Sequence, residues 1–519
     1  MQPACIRHTD LPGTSRLFAD FSYHFDRVAK FYRHDPNSAA SLKRAVGEID
    51  YPDERRAALV AALAAQNGPS EALQRLSEPG TVVVVTGQQV GLFTGPAYTI
   101  YKAVTAARLA RQLTEIGTPA VPVFWLATED HDFPEVDHAW VFNAAGESVQ
   151  LRVEAPKETA GRPRPVGGIA VTNPPIENLR AALAGMPFAD DVLAVAAEAY
   201  APGVTMGAGF RALMRKIAGK LGLIFLDPLD PAIRRIAAPF LAKALQAAPE
   251  LKSDLLERTR ELTAAGYHAQ VHVDAKTSLF FSLENGERVT LRRKDADYAE
   301  LAGRAETISP NALLRPVMQD YLLPSVAFIG GPGELAYLAQ SHVLYERLLG
   351  RMPVMLARGG FTLLDSRSAR LLHRYGMTVA QAFVHQEALQ ERIARALVPE
   401  MVSKSVENAK SGIARHLDEL NAELQAFDPT LASALEKSRA KVIHQIDKIA
   451  RKTAREAMRR DQRATSDARH LANLLYPHRH LQERFYSILP FLAQHGMDLV
   501  ERLYEAAEPG CPDHRVFTV

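Results

Sequence analysis

The chain has 519 residues, enough to bury a large core and to make roughly three domains. Hydrophobic residues make up 47% and charged residues 23%, and 61 Lys plus Arg stand against 59 Asp plus Glu, so the net charge of +2 gives no electrostatic case for a nucleic-acid partner. Cys5 and Cys511 are the only cysteines, which excludes a disulfide framework and a cysteine-rich zinc site; with no charged-then-apolar leader and no apolar run of membrane-spanning length, cytoplasm is the default compartment and no membrane partner is expected.

Residues 1–80 read as helices. Leu17, Phe21, Phe25 and Val28 share one face of the first, which Asp35-Pro36 is expected to end. Phe21, Tyr23, Phe25, Phe31 and Tyr32 could line a pocket, but an aromatic face at helical spacing is more often core.

Residues 81–140 form one strand, loop, helix, strand unit. Thr81 to Val85 is a β-branched run, the composition of a strand buried on both faces of a parallel sheet. Gly87, Gln88, Gln89, Gly91, Thr94 and Gly95 follow as a candidate substrate- and nucleotide-binding loop. Free N–H groups at the helix start near Gly95 would favour an anion, with Tyr98 and Lys102 one turn apart and facing the same way. Ile100, Ala103, Val104 and Ala107 give that helix its apolar stripe. The next run, Val121 to Leu126, ends in Glu129, Asp130, His131 and Asp132. Ligands bind at the carboxyl ends of parallel strands, so four consecutive titratable groups there are candidates for acid, base or metal chemistry. Their bland reading is a hydrogen-bonded strand terminus.

Residues 143–203 turn irregular, with Arg162-Pro163-Arg164-Pro165 and Gly167-Gly168 inside them, and read as an insertion. A helix at about 206–220 leads to a third strand, Leu223 to Leu226. Asp227 and Asp230 at its end are read as helix caps before Pro231 in preference to catalytic groups. Helices run to Gly266, residues 277–293 read as a hairpin around Asn285-Gly286, and Ser309-Pro310 is expected to start a helix. Ser325 to Ile329 is a fourth strand. The turn after it carries Gly330, Gly331, Gly333 and Glu334, a second candidate anion cradle in which Glu334 could orient an amine or a ribose; glycine there also serves tight packing. A fifth strand, Pro353 to Leu356, ends at Arg358. Five strands alternating with helices imply a doubly wound parallel α/β sheet with right-handed crossovers.

From about 381 the period changes. Ile413, Leu417, Leu420, Leu424 and Phe427 keep coiled-coil spacing, Asp428-Pro429 breaks it, and Leu431, Leu435, Val442, Ile446 and Ile449 resume it. Two long antiparallel helices pairing with a second subunit explain both halves. The basic run from Lys437 to Arg463 is interrupted by Asp447, Glu456 and Asp461 and reads as a solvated face. Met401 to Ser405 is similar to the KMSKS signature of class I synthetases but lies in the helical arm. Residues 476–496 leave the register and should fold back on the body, and Phe517 to Val519 could add a strand. The expected divisions are 1–142 (helices and first half of the core), 143–203 (insertion), 204–266 (core), 267–305 (hairpin insertion), 306–380 (core completed), 381–475 (coiled-coil arm) and 476–519 (carboxyl-terminal segment).

Four strings carry a family resemblance: TGQQVGLFTGPAYTIYKA at 86–103, FWLATEDHDFPEV at 124–136, LLRPVMQDYLLPSVAFIGGPGELAYLAQ at 313–340 and LYPHRHLQERFYSILPFLAQHG at 475–496. By them the chain resembles BshC, the cysteine-adding family of bacillithiol biosynthesis, over nearly its whole length. The resemblance implies a Rossmann-like core like that of class I nucleotidyltransferases, with insertions akin to connective peptides, and a coiled coil through which family members form homodimers. It also implies a ligase that joins cysteine to the amine of glucosaminyl-malate in the last step of the pathway, using ATP or another nucleotide to activate the carboxylate. Two departures stand out. The class I signature has histidines where this chain has Leu92-Phe93-Thr94-Gly95, and no cysteine set is present to hold a thiol through zinc. His131, Asp132, Asp137 and His138 could make an N/O metal site, but capping or direct substrate contact is commoner and no metal is expected. A non-catalytic dimeric scaffold of the same pathway is the alternative, and a metal hydrolase using His131 and His138 is a weaker third.

Overall fold

The computed structural model describes residues 4–154, 156, 163–291 and 298–519. Arg162 of the expected insertion and Arg292-Arg293 of the expected hairpin lie outside the described residues. The chain divides into two compact units, one comprising Met1–Ala144, Ser148–Thr362 and Glu483–Phe517, the other Ala145–Glu147, Leu363–Gln482 and Thr518–Val519.

The first unit is built on a parallel sheet of β1 (Val82–Gln88), β2 (Ala120–Leu126), β3 (Ile224–Leu226), β4 (Ser325–Gly330) and β5 (Val354–Ala357), in the order β5-β4-β1-β2-β3. Strand side chains alternate between faces, and here both faces are covered. Val82 and Val84 join Ala106, Leu109 and Leu113 of α1 (Tyr98–Glu115) in one layer. Val83 and Val85 join Phe240 and Leu241 of α2 (Pro231–Gln246) in the other. Each such buried side chain contributes about 1.5–3 kcal/mol, which is why the run is all valine with no polar alternation. The strand order reverses between β1 and β4, and open α/β sheets bind ligands at that crevice. Two helices enclose it, α3 (Arg315–Leu322) and α4 (Pro332–Leu348).

Asp230 caps α2 by accepting from the N–H groups of Ala232 (2.8 Å) and Ile233 (3.4 Å), and Asp227 accepts from the Thr128 hydroxyl (2.5 Å). The capping expectation describes Asp230; Asp227 instead ties the strand end together, accepting also from Leu229 N–H (3.0 Å).

Four local expectations need correction. The first helix is only Arg16–Tyr23, followed by two 3-10 turns, because Asp20 accepts from Arg27 (3.0 Å) and from the distant Tyr267 hydroxyl (3.0 Å) and holds the chain in a tighter path. Its aromatic face is core, with Phe21, Phe31 and Tyr32 all buried. Before it, Ala4–Ile6 is a strand, paired antiparallel with the carboxyl-terminal strand His514–Thr518. Residues 143–203 contain the helices Ile176–Leu183 and Ala189–Ala199, whose stripes of Leu179, Leu183, Val192 and Ala196 are buried; proline and glycine punctuation obscured that period. Ser309-Pro310 belongs to the strand Ile308–Pro310, which pairs with Phe280–Glu284 of the hairpin. Proline is tolerated at a strand end where no ladder donor is needed, and α3 starts only after Asn311 accepts from Leu313 and Leu314 N–H. The hairpin itself turns at Asn285 (φ 51°) and Gly286 (φ 74°), the left-handed pair of a type I′ turn.

In the second unit α5 (Glu400–Phe427) and α6 (Pro429–Arg460) run antiparallel. Lys410 meets Asp447 (2.7 Å) and Arg439 meets Asp418 (2.5 Å), pairs whose order reverses along the two helices. Asp428 breaks the register and caps α6 through Thr430 N–H (2.8 Å). Met401 to Ser405 lies in regular helix, where the Ser405 hydroxyl donates to the Met401 carbonyl (2.9 Å).

Candidate active site

Gly87 marks the end of β1, where a side chain would sit 2.7 Å from the Trp125 carbonyl oxygen, so only glycine allows β2 this close. Lys102, 2% exposed, reaches from α1 beneath the loop. Its ammonium donates to Gly87 O (2.9 Å) and Gln88 Oε1 (2.8 Å) and pairs with Glu334 (2.5 Å). Burial pushes its pKa down and the Glu334 carboxylate opposes that. Glu334, in the first turn of α4, also accepts from Gly331 N–H (2.8 Å). The two glycine loops, more than two hundred residues apart, are thus joined by one buried ion pair. Gln88 donates in turn to the Tyr98 hydroxyl (3.3 Å).

Asp130 lies on the β2 side. It accepts from the Gln89 amide (2.9 Å) and from His131 N–H (2.8 Å), with Arg288 at 3.7 Å. Burial alone would raise its pKa, but Arg315, the Gln89 amide and Arg288 outweigh it and hold the carboxyl below its ordinary value. Asp130 is therefore suited to hold a cation and poorly suited to take a proton.

These groups open on a cavity of about 130 Å³ in the β1–β4 crevice. Gly87, Gln88 and Gln89 form one wall and Trp125, Ala127 and Asp130 the next; Phe328, Glu334 and Tyr337 face them from β4 and α4, and Arg315 and Gln319 from α3. Arg315 makes no ion pair among the described residues, whereas Arg234 pairs with Glu129 (2.7 Å) and Arg358 with Glu483 (2.5 Å). Sequence reasoning passed over Arg315, Tyr337 and Gln319. The one available signal was Arg315-Pro316 at a helix start.

Other expected site residues lie outside the cavity wall. Glu129 is 1% exposed and committed to Arg234; burial raises its pKa against the pull of Arg234 and Arg288. His131 Nδ1 accepts from Arg288 (2.9 Å), and Asp132 is exposed at the start of the short helix Phe133–Val136. Asp137 binds His138 (2.7 Å), and among the described residues no group of three or more His, Cys, Asp or Glu could hold a metal ion. Gly91, Thr94 and Gly95 lie in a buried turn with Phe93 (φ 50°) and Thr94 (φ 71°) left-handed. Three amides there are already taken: Phe93 N–H donates to the Tyr200 hydroxyl (3.2 Å), Gly95 N–H to Leu92 O (2.9 Å) and Ala97 N–H to Tyr486 O (2.7 Å). At the second turn a side chain on Gly330 would strike Phe328 at 2.8 Å, Gly333 is exposed, and the Gly331 amide is already taken by Glu334. Arg358 stacks 5.2 Å from the Tyr98 ring and binds Glu483 through two contacts (2.5 and 2.9 Å).

Residues 1–359 match the family model "Bacillithiol biosynthesis BshC, N-terminal Rossmann-like domain", and residues 361–519 match "Bacillithiol biosynthesis BshC, C-terminal coiled-coil domain". The chain belongs to the BshC family. Among its BshC relatives, a protein of Solibacter usitatus is 53% identical over the whole of both chains, and one of Koribacter versatilis is 36% identical, also over the whole of both. A third, from Symbiobacterium thermophilum, is 34% identical over 92% of this chain and 93% of its own. All three carry the name "Putative cysteine ligase BshC". BshC membership fits the Rossmann-like sheet and the coiled-coil pair described above.

Proposed function

We propose that this BshC-family ligase of bacillithiol biosynthesis joins the carboxyl group of cysteine to the amine of glucosaminyl-malate, in the last step of the pathway, at the β1–β4 crevice. The observation that carries the reading is the pairing, in one small cavity at the topological switch point, of Arg315, which has no ion-pair partner among the described residues, and Asp130, a carboxylate held ionised. Those groups bind and orient charged substrates. Lys102, which braces Gly87, Gln88 and Glu334, fixes the cavity wall and is a positioning residue.

A carboxylate must be activated before an amine can displace its oxygen, and a nucleoside triphosphate is the proposed co-substrate. At the first glycine turn the amides of Gly91, Phe93, Gly95 and Ala97 are taken within the protein, and at the second that of Gly331 is, so no step is assigned to either turn. We place the enzyme in the cytoplasm, in keeping with a sequence that has only two cysteines and with the absence, among the described residues, of any helix long and apolar enough to cross a membrane. Homodimerisation is proposed through the arm, where Met401 (79%), Phe427 (82%) and Ile449 (59%) are exposed.

The test is incubation of the purified protein with cysteine, glucosaminyl-malate and ATP, with products read by mass spectrometry. Bacillithiol with AMP indicates an acyl-adenylate, and bacillithiol with ADP an acyl-phosphate. No product with any nucleotide, from a protein that still binds its substrates, favours the scaffold reading.

A further inference from the structure

We infer that the β1–β4 cavity is a zwitterion subsite that takes the free α-amino acid, with the ligand carboxylate on Arg315 and its ammonium on Asp130, and leaves the sugar-linked amine outside. The identity of that amino acid as cysteine rests on the ligase reading above; the preference for a zwitterion rests on the cavity itself.

Charge is the first ground. Arg315 stands on the α3 side with no ion pair among the described residues, although the arginines around it, Arg234 and Arg288, have Glu129 at 2.7 Å and Asp130 at 3.7 Å. A guanidinium offers a rigid fork of donors that matches a carboxylate. Asp130 faces the same space from β2 and is held ionised by Arg315, Gln89 and Arg288. The two sense each other's charge yet make no ion pair, so one ligand bearing both charges can satisfy both poles. A dicarboxylate would set its second anion against Asp130 and Glu334, and a diamine would meet Arg315; both cost more than they gain.

Size is the second ground. About 130 Å³ is well below the roughly 300–1,000 Å³ of pockets that enclose drug-sized ligands: a free amino acid fits within it, whereas a sugar carrying malate would have to extend out through its open side. The third is the remaining wall. Trp125, Ala127 and Phe328 are apolar and suit a short side chain.

The experiment is calorimetric titration of the full chain with L-cysteine and, separately, L-malate, for the wild type and for Arg315→Met, Arg315→Lys and Asp130→Asn, with circular dichroism to verify folding. The inference expects L-cysteine to bind the wild type, and at least about tenfold weaker binding in Arg315→Met and Asp130→Asn, with Arg315→Lys between them. Should Arg315→Met fail to fold, the Lys and Asn variants carry the comparison. Unchanged cysteine affinity in the folded variants overturns the inference. So does loss of L-malate binding in place of cysteine binding, which would assign Arg315 to the acceptor substrate. A wild type that makes the amide while the variants keep their cysteine affinity sinks this subsite and leaves the ligase reading standing. Arg315-dependent cysteine binding without turnover upholds the subsite and sinks the ligase reading.

Discussion

Glu483 is 2% exposed and, among the described residues, its one ion-pair partner is Arg358, while Phe361 N–H donates to it at 3.0 Å. Burial opposes its ionisation, but Arg358 and His514 prevail and bring its pKa from 4.5 down to about 2. Because the folded value is the lower one, the stabilisation, on the order of 3 kcal/mol, is complete above pH 4.5 and is lost as pH falls towards 2. Glu483→Gln is expected to flatten the dependence of Tm on pH between 5 and 2 and to cost about 3–5 kcal/mol at pH 7 by leaving Arg358 buried and unpaired. A Tm profile parallel to the wild type's would contradict this. Lys102→Met leaves Glu334 without its cation and should cost a similar ~3 kcal/mol in denaturant melts while lowering turnover. Lys102, Glu334 and Arg358 could be named from the sequence because they follow strand ends. Glu483 and Arg315 could not, since their significance lies in neighbours more than a hundred residues away and no local spacing encodes that.

At the scale of elements, the five core strands were legible because each is a short apolar run closed by a turn, and the arm because its apolar positions keep one register on either side of Pro429. The helices Ile176–Leu183 and Ala189–Ala199 were missed because prolines and glycines around them drew more weight than two short stripes. The strand Ile308–Pro310 was missed because Ser-Pro is also a helix-start signal, and only pairing with Phe280–Glu284 decides between them. Gly87→Ala would drive a methyl into the Trp125 carbonyl and part β1 from β2; a loss of about 1–3 kcal/mol and weaker cysteine binding are expected, measured by melts and calorimetry. In the arm, Ile449→Asp places a charge in the exposed apolar stripe. Sedimentation velocity at micromolar concentration should show the wild type at twice the chain mass and the variant at once; a dimeric variant would argue against the arm as the interface.

Across the whole molecule, the cavity draws on segments near residues 87, 130, 315 and 334, and the sheet order alone brings them together. Which of the four titratable residues after β2 faces the cavity was not legible, because that depends on which partners fold around them: Glu129 is taken by Arg234, His131 by Arg288, and Asp130 remains. The phosphate-binding expectation for Thr94 and Gly95 likewise depended on whether their amides stay free, and the packing of Tyr200 and Tyr486 is invisible in local sequence. We place amide formation, as proposed above, at Asp130 in the β1–β4 crevice. The most direct measurement is the rate of bacillithiol formation from cysteine, glucosaminyl-malate and ATP by wild type and Asp130→Asn side by side, with melting curves of both. Product is expected from the wild type, with a loss of roughly tenfold to a hundredfold in a variant that the melting curve shows still folded at the assay temperature, the cost of one charge-assisted contact to substrate. Product from Asp130→Asn at the wild-type rate would contradict it.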